Sequence, residues 1–317
     1  MPEVITIGES MVMLIAEADG PLEHSTKFSR YLAGAESNVA IGLARLGHKA
    51  GWISAVGDDP FGSYVVKTIR GEGVDTSAVL VSPVFPTGLM VKERSAAGDP
   101  KVYYYRRDSA ACHLSFDMVG KEYFAGGKIL HITGIFPALS STTCETLYEV
   151  IKLAKSHGAM ISFDPNMRLQ LWSREEARST LLKIAELSDL ILPGVNEAEL
   201  LAGTSEWSEV ANFFHAKGNK FVVMKNGPDG AYYSEKDKTA GYEKGFKVRR
   251  VVDTVGAGDG FAVGVLSGLL DGVPLQQAVE RGNAIGSLAV TVRGDSDGYP
   301  TRNKLLEYIN NYQPKDI

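Results

Sequence analysis

The 317-residue chain is 44% hydrophobic and 22% charged, a balance that excludes a disordered polymer and allows a sizeable core. Its 33 Lys plus Arg against 38 Asp plus Glu give a formal charge of -5, which argues against a general nucleic-acid binder. A small anionic substrate stays open, since two or three local arginines suffice to hold one.

Taken in chain order, VITIG (4–8) reads as a buried first strand. Residues 37–47 carry Val39, Leu43 and Leu46 at helical spacing and stop at Gly47. KAGWISAVG (49–57) reads as the next strand, and 59–74 as a helix with a glycine-rich exit. This alternation favours a mainly parallel sheet covered by helices. It pauses over about 11–32 and again over about 84–111, where extended runs are joined by polar turns, AAGDP among them. These two segments are expected to form a small β-sheet standing off the body as a lid. Alternation then resumes with strands at 128–134 and 159–166 around a helix from Thr142 to His157. A strand at 189–194, a helix over NEAELLAG, strands at 220–227 and over GAYYS, and VRRVVDT (248–254), with its strand-like VVD, follow. One more helical stretch lies in PLQQAVERGNAIGSLAVTV.

Cys112 and Cys144 have no CxxC or metal-ligand spacing and read as free thiols of a reducing compartment. MPEVITIGES lacks a secretory pattern, and no run approaches the ~20 apolar residues of a membrane span. A cytoplasmic protein is expected. The six histidines are scattered without ligand spacing and read as structural.

The chemical signal lies in VVDTVGAGDGFAVGVL (251–266). Strand, glycine turn and helix in succession present bare N–H groups at a helix N-terminus, where anions bind. Asp259 at that point reads either as a helix cap or as a general base for a hydroxyl beside a phosphate. A Walker A loop needs a Lys that is absent here, and a dinucleotide fingerprint needs Gly where Phe261 stands.

The pattern resembles the ribokinase-like, or PfkB, family of sugar kinases over essentially the full length. DTVGAGDGF (253–261) is similar to that family's C-terminal signature. AGAESNVAIGLARLG and GDDPFG (33–62) are similar to its N-terminal one, with Ala33 in place of the first Gly. The resemblance implies an αβα sandwich with a β lid, one kinase domain over 1–317, and ATP with Mg²⁺. It assigns Asp259 as the base and Gly256, Ala257 and Gly258 as an anion hole. Gly34, Ala35 and Asn38 would contact sugar. Asn196 and Glu199 would serve the nucleotide phosphates and, through water, Mg²⁺. Lys225, Gly227, Gly230, Gly258 and Asn283 would line the nucleotide side. Asp253 and Val255 would hold a monovalent cation such as K⁺.

Alternation in YYYRR puts Tyr104 and Arg106 on one strand face and Tyr103, Tyr105 and Arg107 on the other. An inward Tyr–Arg pair can hold a carboxylate. Arg168, in FDPNMR, follows the carboxyl end of a buried strand, where open α/β sheets bind ligands. Two such arginines favour an acidic sugar. Both features resemble the 2-keto-3-deoxygluconate kinase branch, which implies Tyr104, Arg106, Asp164, Asn166 and Arg168 as sugar-acid ligands. Met90 stands where some of these enzymes place Tyr, and Met13 where many neutral-sugar kinases place Asp. The expected reaction is phosphorylation of the terminal hydroxyl of 2-keto-3-deoxygluconate. A neutral-sugar kinase of fructokinase or ribokinase type, and a non-catalytic sugar- or nucleotide-binding regulator, are the alternatives. The expected partners are the sugar acid, ATP and copies of the same chain, through the lid or in a higher assembly.

Overall fold

The computed structural model describes residues 1–94 and 101–312. The expected AAGDP turn, at 96–100, lies outside the described residues. The chain begins with β1 (Val4–Ile7), β2 (Met11–Asp19), β3 (Phe28–Ala33), α1 (Ala35–Arg45), β4 (Ala50–Gly57) and α2 (Pro60–Gly71). It continues through β5 (Val79–Ser82), β6 (Leu89–Arg94), β7 (Val102–Tyr105), β8 (Ile129–Thr133), α3 (Ser141–Ser156), β9 (Met160–Asp164) and α4 (Arg174–Glu186). Next come β10 (Leu190–Ile191), α5 (Val195–Ala202), α6 (Trp207–Ala216), β11 (Phe221–Lys225), β12 (Gly230–Glu235) and β13 (Ala240–Lys244). Helices α7 (Ala257–Leu270), α8 (Leu275–Ala289) and α9 (Arg302–Asn311) complete it.

Among the described residues the large sheet runs β13-β12-β11-β10-β9-β8-β1-β4-β5, parallel from β5 through β11, with β12 and β13 antiparallel at one edge. The central strands are buried on both faces, which explains their continuous apolar runs. Ile5 and Ile7 are at most 1% exposed, and each contributes roughly 1.5–3 kcal/mol by leaving water. The chain passes from β1 to β4 on one side and returns to β8 on the other. The carboxyl ends of β1, β8 and β9 therefore flank the topological switch point, the place where open α/β sheets take their ligands.

Helix α7 is apolar nearly all round and lies against α1 and α8. Its glycines permit that approach. A Cβ on Gly264 would come within 2.5 Å of Gly282 N and the Arg281 carbonyl, and one on Gly268 within 2.4 Å of Ala278 Cβ. Packed on both sides, α7 aims its N-terminus at the switch point.

The two off-body segments form a four-stranded sheet, β3-β2-β6-β7, as expected. Met11, Met13, Ile15, Ala33 and Met90 share its inner face. Among the described residues no helix is long and apolar enough to cross a membrane, and Cys112 and Cys144 are free.

Two differences from the sequence reading stand out. VRRVVDT is not a strand: the sheet already ends at β13, and Val252 N–H bonds the Val290 carbonyl at the end of α8 (2.7 Å). Val251 and Val252 are exposed, so β-branched composition found no partner strand there. Helices α4, α6 and α9 lie where the sequence reading offers no element. For α4 a signal existed, since Ser173 and Glu176 form a reciprocal capping box.

Candidate active site

Gly256 caps α7 with φ of 78°, a conformation that disfavours any side chain, and a Cβ there would lie 1.9 Å from the Asp295 carbonyl oxygen. Tyr299 donates its hydroxyl to the Gly256 carbonyl (2.6 Å) and pins the turn from behind. The Ala257 N–H makes only a long 3.4 Å bond to Thr254 O. This first turn of α7 therefore faces the cleft with weakly engaged donors and the positive end of the helix.

Asp259 is not a cap. Gly256 holds that position without any side-chain cap bond, and the Asp259 carboxylate is bound elsewhere. Its Oδ2 accepts from Asn38 Nδ2 (2.8 Å) and its Oδ1 from Asn166 Nδ2 (3.2 Å). Burial pushes its pKa above the ordinary Asp value, against the Asn38 hydrogen bond and the positive charges of Arg168 and Lys225.

A cavity of about 330 Å³ opens in front of Asp259. Gly34, Ala35, Tyr104 and Arg106 line it from the lid and α1 side, and Asp164, Asn166 and Arg168 from the end of β9. Gly256, Gly258 and Met90 also line it, whereas Met13 is buried in the lid's inner face away from it. Asn38 sits behind the wall and acts on Asp259 rather than on the cavity. Gly34 has no room for a side chain, with Ser10 Oγ 2.6 Å from where its Cβ would be.

Four acids that the sequence reading left out belong to this site. Glu9, at the end of β1, accepts from Arg106 Nε (2.7 Å), meets its Nη2, and accepts from the Ser109 hydroxyl. Arg106 thus reaches the cavity already paired. Glu36 is fully buried with Oε2 unpartnered, and burial raises its pKa to about 7. Asp295 sits 3.4 Å from the same Asn38 amide, and burial followed by the charge of Asp259 raises it to about 7. Glu197 folds back over the start of α5, accepting from Gly194 N–H (2.7 Å) and Met167 N–H (2.8 Å), and lines the cavity.

Asn196 and Glu199 are exposed and line neither this cavity nor the apolar cavity beyond Ala257. On α5 Asn196 is rotated about 100° and Glu199 about 160° from Glu197, which is the residue turned toward the cleft.

A second cavity of about 470 Å³ adjoins the first through Tyr104, Arg106 and Arg168. Arg107 lines it too, against the expectation that it lies outward with Tyr103 and Tyr105. Strand alternation fails here because β7 ends at Tyr105 and the chain turns at Asp108, whose φ is 59°. Tyr103 and Tyr105 do lie exposed on the opposite face.

On the other side of the loop, a largely apolar cavity of about 550 Å³ is lined by Ala257, Phe261, Val251 and Val290, and by Gly227, Gly230 and Asn283. Asn283 is buried and donates to the Glu243 and Lys244 carbonyls (3.1 and 3.2 Å), so it fixes the cavity rim. Gly230, with φ of 128°, lets β12 pass within 2.1 Å of the Glu243 carbonyl, measured from where a Cβ would stand.

The cavity in front of Asp259 and this apolar cavity meet at Lys225, Thr254 and Gly258. Lys225 Nζ lies 2.6 Å from Asp164 Oδ2. Burial would lower its pKa, but Asp164, Glu197 and Asp259 around it raise it, so it stays a cation. The boundary therefore combines helix N–H groups with a fixed positive charge, a surface that suits a phosphate chain. No cluster of three or more His, Cys, Asp or Glu is arranged to hold a metal among the described residues. Mg²⁺ suits this donor set in another way, since it arrives on substrate phosphates, keeps several waters and needs one or two carboxylates. Asp164, Glu197 and Asp259 are the carboxylates around Lys225 at that boundary.

Asp253 accepts from Lys92 Nζ at 2.7 Å through Oδ2 and from Val255 N–H at 3.2 Å through Oδ1.

A family model described as "pfkB family carbohydrate kinase" matches residues 1–302. The chain is 46% identical over 310 residues to a 2-dehydro-3-deoxygluconokinase of Bacillus subtilis (strain 168), covering 97% of this chain and 95% of the relative. A crystal structure of a PfkB protein from Polaromonas sp. JS666 superposes with a TM-score of 0.89 at 41% identity, over 96% of this chain and 99% of that one. An Escherichia coli protein provisionally assigned as ribokinase II, solved with ATP and Mg²⁺, superposes with a TM-score of 0.91 at 29% identity, over 98% and 99%.

Proposed function

The chain belongs to the pfkB family of carbohydrate kinases, and from that premise we propose that it phosphorylates the terminal hydroxyl of 2-dehydro-3-deoxygluconate. It is an ATP-dependent sugar kinase that works with Mg²⁺. The observation that carries the reading is the shared boundary at Lys225, Thr254 and Gly258, with Asp259 one residue further on the sugar side. A phosphoryl group crossing that boundary meets a carboxylate and a helix N-terminus together.

In this reading the sugar hydroxyl lies against Asp259, which takes its proton as the oxygen attacks the γ-phosphorus in line. The new O–P bond forms, the bond to the β-phosphate oxygen breaks, and ADP leaves. Asn38 and Asn166 hold the carboxylate so that a lone pair faces the hydroxyl. N–H groups of the 256–258 turn receive charge developing on the transferred group, and Lys225 holds the phosphate chain. Bound on the phosphates, Mg²⁺ offsets their negative charge. The four-stranded sheet serves as a lid that excludes water, which would otherwise accept the phosphoryl group.

The sugar's carboxylate is assigned to Arg168 at the junction of the two substrate-side cavities, with Arg107 lining the second of them. Arg106, already paired with Glu9, orients Tyr104 and the wall rather than supplying a free charge. The same reading treats residues 1–317 as one kinase unit of cytoplasmic location. It joins copies of the chain through the lid, where Tyr103 and Tyr105 are 42% and 64% exposed.

An ADP-release assay across sugar acids, hexoses and nucleosides tests the substrate. The highest kcat/KM is expected for 2-dehydro-3-deoxygluconate. Faster turnover of fructose or ribose would transfer the protein to the neutral-sugar class, and no turnover of any sugar would favour the regulator.

A further inference from the structure

Lys92 stands on β6 two residues after Met90, so both side chains leave the same face of the small sheet and point toward the cleft. Lys92 is 6% exposed, a depth at which lysine requires a partner. That partner is Asp253, 161 positions away in sequence. The Asp253 carboxylate also holds Val255 N–H. One carboxylate oxygen thus holds the stretch that delivers the chain to Gly256, and the other holds Lys92 of the small sheet. Among the described residues no strand supports this stretch, and the Val252 and Asp253 N–H groups, both bonded to the Val290 carbonyl (2.7 and 3.4 Å), anchor it further. The ammonium is also near enough to Asp295, whose carbonyl meets Gly256 from the far side, to lower the pKa of that acid.

A K⁺ ion at Asp253 and Val255, as the sequence resemblance implies, does not fit this arrangement. The carboxylate is already neutralised by an ammonium, and a second cation at the same oxygens would be repelled.

We propose that Lys92 is the chain's own cation for the anion-hole turn, tying the lid to residues 253–256 so that phosphoryl transfer proceeds without a monovalent ion. The inference rests on the reading of 256–258 as the anion hole. Lys92 touches no substrate and acts as a positioning residue. When the lid swings away, the ammonium leaves Asp253 and the turn loses a constraint. The closed lid and the ordered turn are thereby one event.

The test compares wild type, Lys92→Met and Lys92→Arg in tetramethylammonium buffer, with and without K⁺. Two readouts are taken: kcat with the preferred sugar, and affinity for the non-transferable analogue β,γ-imido-ATP with Mg²⁺. Wild type is expected to change by less than about twofold on adding K⁺, whereas Lys92→Met loses about tenfold or more in kcat and recovers part of it in K⁺. Its analogue affinity becomes K⁺-dependent, while Lys92→Arg stays close to wild type. Strong K⁺ activation of the wild type would overturn the proposal, as would a Lys92→Met enzyme that keeps full activity. A Lys92→Met loss that neither K⁺ nor Arg restores would overturn it as well, because charge would then not be the working feature. The analogue readout needs no sugar, so an error in the substrate leaves this test intact.

Discussion

Asn38 Nδ2 and Asp259 Oδ2 are joined by a 2.8 Å hydrogen bond across 221 positions of sequence. The bond fastens α1, whose first residue lines the cavity in front of Asp259, to the first turn of α7. The same amide lies 3.4 Å from Asp295. One asparagine therefore aims the proposed base and keeps it apart from a second buried acid.

Removing that donor has a signed consequence. The Asn38 bond lowers the pKa of Asp259 against the raising effect of burial. Asn38→Ala should raise it further, moving the acidic limb of the kcat/KM profile to higher pH and lowering kcat by about 10–100-fold. In the wild type that limb should already lie above the ordinary Asp range, since the carboxylate must be ionised to accept a proton. pH–rate profiles of the two proteins check both statements.

Asp295 offers a separate stability test. Its folded pKa, about 7, lies above the unfolded value near 4. Its stabilising contribution is thus present at low pH and is lost as pH rises toward 7. Asp295→Asn should gain on the wild type between pH 5 and pH 8, by on the order of 1–3 kcal/mol. Urea unfolding at the two pH values measures it, and an equal gap at both would refute the buried-acid account.

Part of this site was legible in the sequence, and the boundary of that part is physical. Gly256 and Gly258 declare themselves because a tight turn before a helix restricts local residue choice, whereas the role of Asp259 was settled between cap and base only by the family resemblance. Gly34 and Asn38 followed from similarity to the N-terminal signature, and Asp164 and Asn166 from the likeness of FDPNMR to one branch of the family. Glu9, Glu36, Asp295 and Lys92 were silent, since each is defined by a partner 97 or more positions away. Strand alternation placed Tyr104 correctly and failed at Arg107, where the strand had ended. In N-x-x-E, motif matching singled out Asn196 and Glu199, whereas helix geometry turns Glu197 toward the cleft. The parallel body was readable from apolar runs, but β-branched composition alone made the VVD of VRRVVDT look like a strand.

Arg168 should govern which sugar is accepted. It lines both substrate-side cavities and carries no ion pair that would divert it among the described contacts. Arg168→Ala should lower kcat/KM for the sugar acid by about 10–100-fold while changing turnover of a neutral analogue far less. Equal losses on acid and neutral sugars would remove Arg168 from carboxylate recognition.

Gly256→Ala tests the turn itself. The added methyl would meet the Asp295 carbonyl at a φ of 78°. A loss of stability of about 1–3 kcal/mol is expected, together with a fall in kcat larger than any rise in KM for ATP. Thermal unfolding and steady-state kinetics separate the two effects.

The central claim is that Asp259 takes the proton of the sugar hydroxyl. Asp259→Asn keeps the size of the side chain and removes the base. The decisive measurement is its single-turnover rate with saturating ATP, Mg²⁺ and 2-dehydro-3-deoxygluconate, alongside the affinity for β,γ-imido-ATP. The rate should fall by about 10²–10⁴-fold while analogue affinity stays within about threefold of wild type. A variant that transfers the phosphoryl group at a rate close to wild type would contradict the account.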